Sequence, residues 1–387
     1  MNPNHDISAE SASSGAVAPG FEAVRDRLDR YLADEPLYSA QLAVFWRGEL
    51  IVDLVGGPDM AADSLTGVFS VSKGAGAAAI SILVESGQLD LEQRVAHYWP
   101  EFAKSGKEGV LVRQLLSHQA GLLGVDERMS LDDFLDSEVA AARLARERPL
   151  WRPGSAFGYH GLTIGVFMEE LVRRITGESL QSLYEREVRG PRDIDFFLGL
   201  PESEEPRYRD VLPMAPTEQQ AAELAAQPRQ PDGMAMLMFN SSRGIAGADI
   251  SPNQRVVRAA GASAFGAVAS GRGLAEHYAA VLGHVGTPFL SPETNRIMSQ
   301  QQSWGIDRCF GDEHCFATVY QCPSHRVPFG SYRAFGHDGA GGALGFADPL
   351  HDLSFGYVPA RMAYPGGVDP KAVELSRIVR AALPAEA

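Results

Sequence analysis

Gly67-Val68-Phe69-Ser70-Val71-Ser72-Lys73-Gly74, with the Ala-rich run that follows it to Ile80, is the stretch that decides how the rest of the chain reads. Ser70 and Lys73 stand three residues apart. A helix beginning near Ser70 therefore carries both side chains on one face, one turn apart and able to meet. A serine hydroxyl is a poor nucleophile at neutral pH and needs a base beside it. A lysine amine serves as that base only where burial or a neighbouring cation lowers its pKa. The small and apolar neighbours Val71, Ala75, Ala77, Ala78 and Ile80 supply such a dry setting. The same helix start would aim backbone N–H groups at the place where an oxyanion forms on Ser70.

Taken alone, the spacing also fits an ordinary helix N-terminus, with Ser70 as cap and Lys73 in water. Lysine usage argues against that. Of 34 basic residues only four are lysines (Lys73, Lys104, Lys107 and Lys371), so the chain uses arginine almost everywhere else. Arginine keeps its proton inside proteins and lysine can lose it, so a lysine retained in an Ala-rich helix is informative.

With 387 residues, 45% hydrophobic and 21% charged, the chain can bury a large core. Its net charge of -15 argues against nucleic acid and anionic membrane surfaces as partners. The Ser/Ala-rich start lacks the apolar segment of a signal peptide, and no run is long enough to span a bilayer, so the expected location is cytoplasmic. Self-association into a homo-oligomer stays open. Cys309, Cys315 and Cys322 are an odd set without a C-x-x-C pair, which predicts reduced thiols; a metal site with His314 and His325 is the less favoured reading.

Periodicity predicts an amphipathic helix over 20–34, then strands over 39–46 and 49–54 joined at Arg47-Gly48. The Ser70 helix is expected to run to Glu85 and stop at Ser86-Gly87. From 91 to 285 the pattern is mostly helical, with helices over 111–117, 131–146, 162–176 and 274–282, and no strand alternation. The segment 201–260 reads as a long loop holding an apolar patch, Met234 to Phe239, as core packing or an adaptable pocket wall. Strands return over 316–321, 332–337, 343–347 and 353–357, and a helix closes the chain over 370–382. These patterns predict a disordered arm over 1–18, one sheet assembled from 19–90 and 286–387, and a mostly helical region over 91–285.

Two further pieces join the serine–lysine pair: Phe157-Gly158-Tyr159-His160-Gly161 before a helix, and Phe335-Gly336-His337-Asp338-Gly339-Ala340-Gly341-Gly342 at a strand end. In this order and spacing the set resembles the serine β-lactamase and penicillin-binding-protein superfamily. Leu115-Leu116-Ser117-His118, followed by Gly121-Leu122, is similar to its helical region. Within it the chain looks most like the family VIII carboxylesterases, and among those the bacterial esterases acting on ethyl chrysanthemate. The similarity runs from about Pro19 onward.

The resemblance implies an α/β protein of the α+β type, an antiparallel sheet flanked by helices plus a mostly helical region, with the site in the cleft between. It implies Ser70 as nucleophile, Lys73 as its general base and Tyr159 as proton shuttle to the leaving group. The backbone amides of Ser70 and Ala340 would form the oxyanion hole. His337, Asp338 and Gly339 fall where β-lactamases carry Lys-Thr-Gly, and Gly161 where they carry asparagine. Both departures weaken recognition of an anionic lactam and leave a neutral ester unaffected. Gly161, His337, Asp338, Gly339, Met236 and Phe239 are the expected substrate contacts. A Ser-His-Asp α/β-hydrolase is set aside, because no G-x-S-x-G elbow occurs. The expectation is hydrolysis of small carboxylic esters through an acyl-enzyme on Ser70, with neither metal nor organic cofactor. The alternatives are a β-lactamase or D-alanyl carboxypeptidase, an acyltransferase, and a non-enzymatic receptor that traps one acyl group.

Overall fold

A computed structural model describes residues 12–226, 233–240 and 250–384. Among them six strands form an antiparallel sheet in the order Ser14–Val17, Glu49–Gly56, Ala40–Trp46, Leu353–Pro359, Leu344–Asp348, Phe335–Asp338. The chain's two ends meet at its centre, where Val44 pairs with Phe355 and Leu42 with Tyr357. Arg47 and Gly48 both take positive φ (52° and 84°), the primed two-residue turn that matches strand twist.

Side-chain alternation sorts the two faces. Leu42 and Val44, with Leu353, Phe355 and Tyr357, pack beneath the helices Glu22–Asp34 and Pro370–Ala382, against Val24, Leu28, Leu375 and Val379. Ala43 and Phe45 point the other way, onto Ala275 and Ala279 of the Gly271–Val281 helix. Gly356 lets that helix approach closely, since a Cβ there would stand 2.2 Å from the Gly271 carbonyl oxygen. On this second side lies the Ser72–Glu85 helix, which is buried on nearly all sides, as its mostly apolar, Ala-rich composition allows. Its glycines admit large neighbours: Gly74 faces the Tyr278 hydroxyl and Gly76 the end of Met168, on the Thr163–Thr176 helix.

Several expectations need correction. The arm expected to be disordered through residue 18 contains a strand, Ser14–Val17, paired to Val52–Val55; its residues before 12 lie outside the described ones. The helix expected over 131–146 is two, Leu131–Leu135 and Ser137–Leu144. Between them Asp136 is extended and turns its carboxylate onto the amides of Glu138 and Val139, both at 3.1 Å. The strand expected over 316–321 lies earlier, at Glu313–Phe316, paired with Ser303–Ile306. Val319, with φ at +69°, breaks it, and the Val319 amide turns to the Leu116 carbonyl. The helical region also holds two-residue strands, Phe196–Phe197, Tyr208–Arg209 and Val268–Ala269, in a small sheet with Leu65–Gly67. Two residues are too few to show alternation. The Met234–Met238 patch is a short helix, while 227–232 and 241–249 lie outside the described residues.

Candidate active site

Ser70 sits in a short 3-10 turn, Phe69–Val71, and the α-helix begins two residues later, at Ser72. Phe69 is left-handed, φ +49°, a conformation that costs a side-chain-bearing residue about 1–2 kcal/mol. Ser72, fully buried, holds it there. Its hydroxyl donates to the Phe69 carbonyl while accepting the Ala267 amide at 2.9 Å. The turn is thereby fixed against a segment almost 200 residues downstream, and Ser70 is left at its half-exposed crest.

Beneath Ser70, the Lys73 amine has no exposure. It donates to Ser70 Oγ at 3.1 Å and to the Ala264 carbonyl at 2.8 Å, and lies 4.9 Å from the centre of the Tyr159 ring. Burial drives its pKa well below that of a free lysine; the Asp338 carboxylate opposes this more weakly. At neutral pH that amine can take up a proton. Tyr159 is buried too, and burial raises its phenol pKa, with the Ser70 hydrogen bond acting in the opposite direction. The phenol therefore keeps its proton and can donate it.

His337 faces Tyr159, its Nε2 lying 3.4 Å from the phenol oxygen. Its Nδ1 is 2.7 Å from the Asp338 carbonyl, which can only accept, so Nδ1 carries the proton and Nε2 is free to accept from Tyr159. Burial, then the Lys73 charge, push its pKa down to about 3. His337 is thus a neutral acceptor where a lactamase carries a cation.

His118, His160 and His277 are likewise fully buried, with burial lowering His160 to about 4, His277 to about 3 and His118 well below its usual value. Below pH 6.5 the unfolded chain gains protons on these four histidines that the folded chain refuses. Their contribution to stability is complete above pH 6.5 and falls with pH below it, by up to about 1.4 kcal/mol per pH unit for each. Urea unfolding should show lower stability at pH 5.5 than at 7.5. Equal midpoints would mean that these rings are protonated in the fold.

Beyond His337 the chain turns toward the serine. A Cβ on Gly339 would stand 2.4 Å from the Val68 carbonyl oxygen, and one on Gly341 3.1 Å from the Phe69 ring. The two glycines thus let the backbone around Ala340, itself exposed, lie against the Ser70 turn. The Asp338 carboxylate lies 3.9 Å from His337 Nδ1 through one oxygen and accepts the Val368 amide at 2.9 Å through the other. It ties the strand to Val368, 30 residues on, and acts on Lys73 through its charge.

The substrate side is apolar. A Cβ on Gly161 would meet Met238 Cγ at 2.9 Å and Phe239 at 3.5 Å, so the space of the lactamase asparagine is already filled. Met238 and Phe239 join Leu123, Phe157, Tyr159 and Phe316 in one cluster. Met236, one of the expected contacts, is half-buried and outside that cluster; Met238 is the residue that reaches the site. Phe310, 5.8 Å from Tyr159 and 41% exposed, was not expected, because its loop carries no periodic signal. Cys309, Cys315 and Cys322 are all free thiols. Among the described residues no group of three or more His, Cys, Asp or Glu side chains is placed to hold a metal, and no helix is long and apolar enough to cross a membrane.

Residues 24–376 match the family described as Beta-lactamase. The chain belongs to the β-lactamase family. Within it, similarity is marked to proteins named as esterases. An esterase/beta-lactamase of Mycobacterium tuberculosis, LipL, is 30% identical over 372 residues, 91% of this chain and 83% of that protein. The structure of EstA from Arthrobacter nitroguajacolicus Rue61a superposes with a TM-score of 0.89 at 47% identity, covering 95% of this chain and 98% of that one. A family VIII carboxylesterase superposes with a TM-score of 0.82 at 31% identity, over 96% and 100%. This β-lactamase-family fold therefore agrees with the resemblance seen in the motifs around Ser70, Tyr159 and His337.

Proposed function

We propose that the protein is a serine carboxylesterase that hydrolyses small, neutral carboxylic esters through an acyl-enzyme on Ser70. The observation that carries the reading is the buried, weakly basic Lys73 amine, 3.1 Å from Ser70 Oγ and beneath the Tyr159 ring. Lys73 takes the Ser70 proton as Ser70 Oγ attacks the ester carbonyl. The amides of Ser70 and Ala340 stabilise the oxyanion. Tyr159 donates its proton to the departing alkoxide and regains one from the Lys73 ammonium, so the alcohol leaves and the acyl group stays on Ser70. Water then attacks the acyl carbonyl. Its proton passes to Lys73 through Tyr159 and returns to Ser70 as the acid departs. The esterase names of the relatives support the same assignment. Three free thiols suit a reducing compartment such as the cytoplasm.

Selectivity tests this reading. A cephalosporin presents a carboxylate that a fixed cation would hold by a charge-assisted bond, worth roughly 1.5–3 kcal/mol. Here His337 is neutral, and Met238 and Phe239 fill the place of the asparagine amide. The enzyme should prefer p-nitrophenyl butyrate over a chromogenic cephalosporin by about a hundredfold or more in kcat/KM. Comparable values would favour a lactamase, and a single burst without turnover would favour an acyl-trapping receptor.

A further inference from the structure

The segment that carries Tyr159 has no regular secondary structure from 156 to 160, yet three consecutive amides in it are held from afar. The Gly158 N–H donates to the His118 backbone carbonyl at 3.1 Å, the Tyr159 N–H to Asp307 Oδ2 at 2.8 Å, and the His160 N–H to His118 Nδ1 at 2.9 Å. His118 holds the residue on either side of the tyrosine, and Asp307 holds the tyrosine itself. Both anchors are fully buried.

His118 is left-handed, φ +65°, and presents its carbonyl and its ring to the same segment. Its ring centre lies 5.0 Å from that of Tyr159 and 4.3 Å from that of Phe316. Because Nδ1 accepts an amide, the ring is the neutral tautomer with its proton on Nε2. Asp307 meanwhile takes the amides of Cys309 and Phe310 on its other oxygen, at 2.7 and 3.1 Å, which ties Tyr159 to the loop bearing Phe310.

We propose that His118 and Asp307 are positioning residues for the catalytic tyrosine, holding the 158–160 backbone so that the phenol stays within reach of Ser70 and His337. The inference rests on the role given to Tyr159 above. Neither residue touches the reacting atoms; both act through the tyrosine, whose proton transfer is sensitive to small displacements.

The test is a double-mutant cycle on p-nitrophenyl butyrate hydrolysis. His118→Phe keeps the ring and removes the acceptor, leaving the His160 amide unpaired. It should lower kcat by about 10- to 100-fold with KM changed by less than about threefold. His118→Asn, which offers an oxygen acceptor and tolerates left-handed backbone, should recover most of that loss. In a Tyr159→Phe background His118→Phe should cost nothing further, because its effect runs through the phenol. Independent, multiplying losses in the double variant, or no recovery in His118→Asn, would overturn the positioning role while leaving Tyr159 catalytic. Wild-type kcat in Tyr159→Phe alone would overturn the tyrosine's role and this inference with it. Should His118→Phe not fold, Asp307→Asn carries the same cycle, since an amide offers one acceptor where the carboxylate uses two.

Discussion

Ser70→Ala should lower kcat/KM for p-nitrophenyl butyrate by on the order of 10⁴-fold or more, with the protein still folded. The size follows from the site's construction. Lys73 and Tyr159 both converge on Ser70 Oγ, so without it neither has a proton to move. Stability should change little, because Ser70 is half-exposed and Lys73 keeps its bond to the Ala264 carbonyl. An organophosphonate ester should label the wild type once, at Ser70. Mass spectrometry that places the adduct on Ser72, two residues away, or on any other serine would refute the assignment.

Lys73→Arg should be nearly as inactive as Lys73→Met. Arginine retains the positive charge but not the ability to accept a proton, so the pair separates base chemistry from electrostatics. Substantial activity in the arginine variant would show that charge alone explains the lysine. Lys73→Met should also change stability, in a direction set by linkage. The folded-state pKa lies well below the free value of 10.5. Between those two values the unfolded chain binds a proton that the folded chain lacks, so stability rises with pH across that window. A methionine escapes the penalty and loses the bonds to Ala264 and Ser70, about 1 kcal/mol each. The variant should melt above the wild type at pH 7, with the gap closing toward pH 10. A lower melting temperature at pH 7 would mean that Lys73 is an ion, held by its neighbours.

The serine–lysine pair was legible because two local facts coincide: a three-residue spacing and a lysine in a chain that avoids lysine. The sheet was legible because its four inner strands run over five to eight residues and its hairpin carries Arg47-Gly48. The finer construction was not. The helix was expected to start at Ser70 and starts at Ser72, because the Ser72 hydroxyl donates to the Phe69 carbonyl and accepts the Ala267 amide, a partner no local pattern reveals. Asp307 lies 148 positions from the amide it holds, in a loop without periodicity. Met236 and Met238 differ only in which way a short helix faces, and that is settled by Gly161. In these three cases a long-range contact outranks local preference.

The pairing of Ala40–Trp46 with Leu353–Pro359 has a consequence for how the protein is made. Roughly 300 residues must leave the ribosome between these partners, which at 5–20 residues per second takes on the order of 15–60 seconds. Through that time the early strands have an open edge, a template for pairing with other chains and a reason for chaperone attendance. Ser70 and Lys73 emerge in synthesis about 270 residues before the glycine turn around Ala340. On the proposed mechanism a nascent chain therefore holds a nucleophile with no place for an oxyanion, and it cannot attack cellular esters until that turn has emerged and docked.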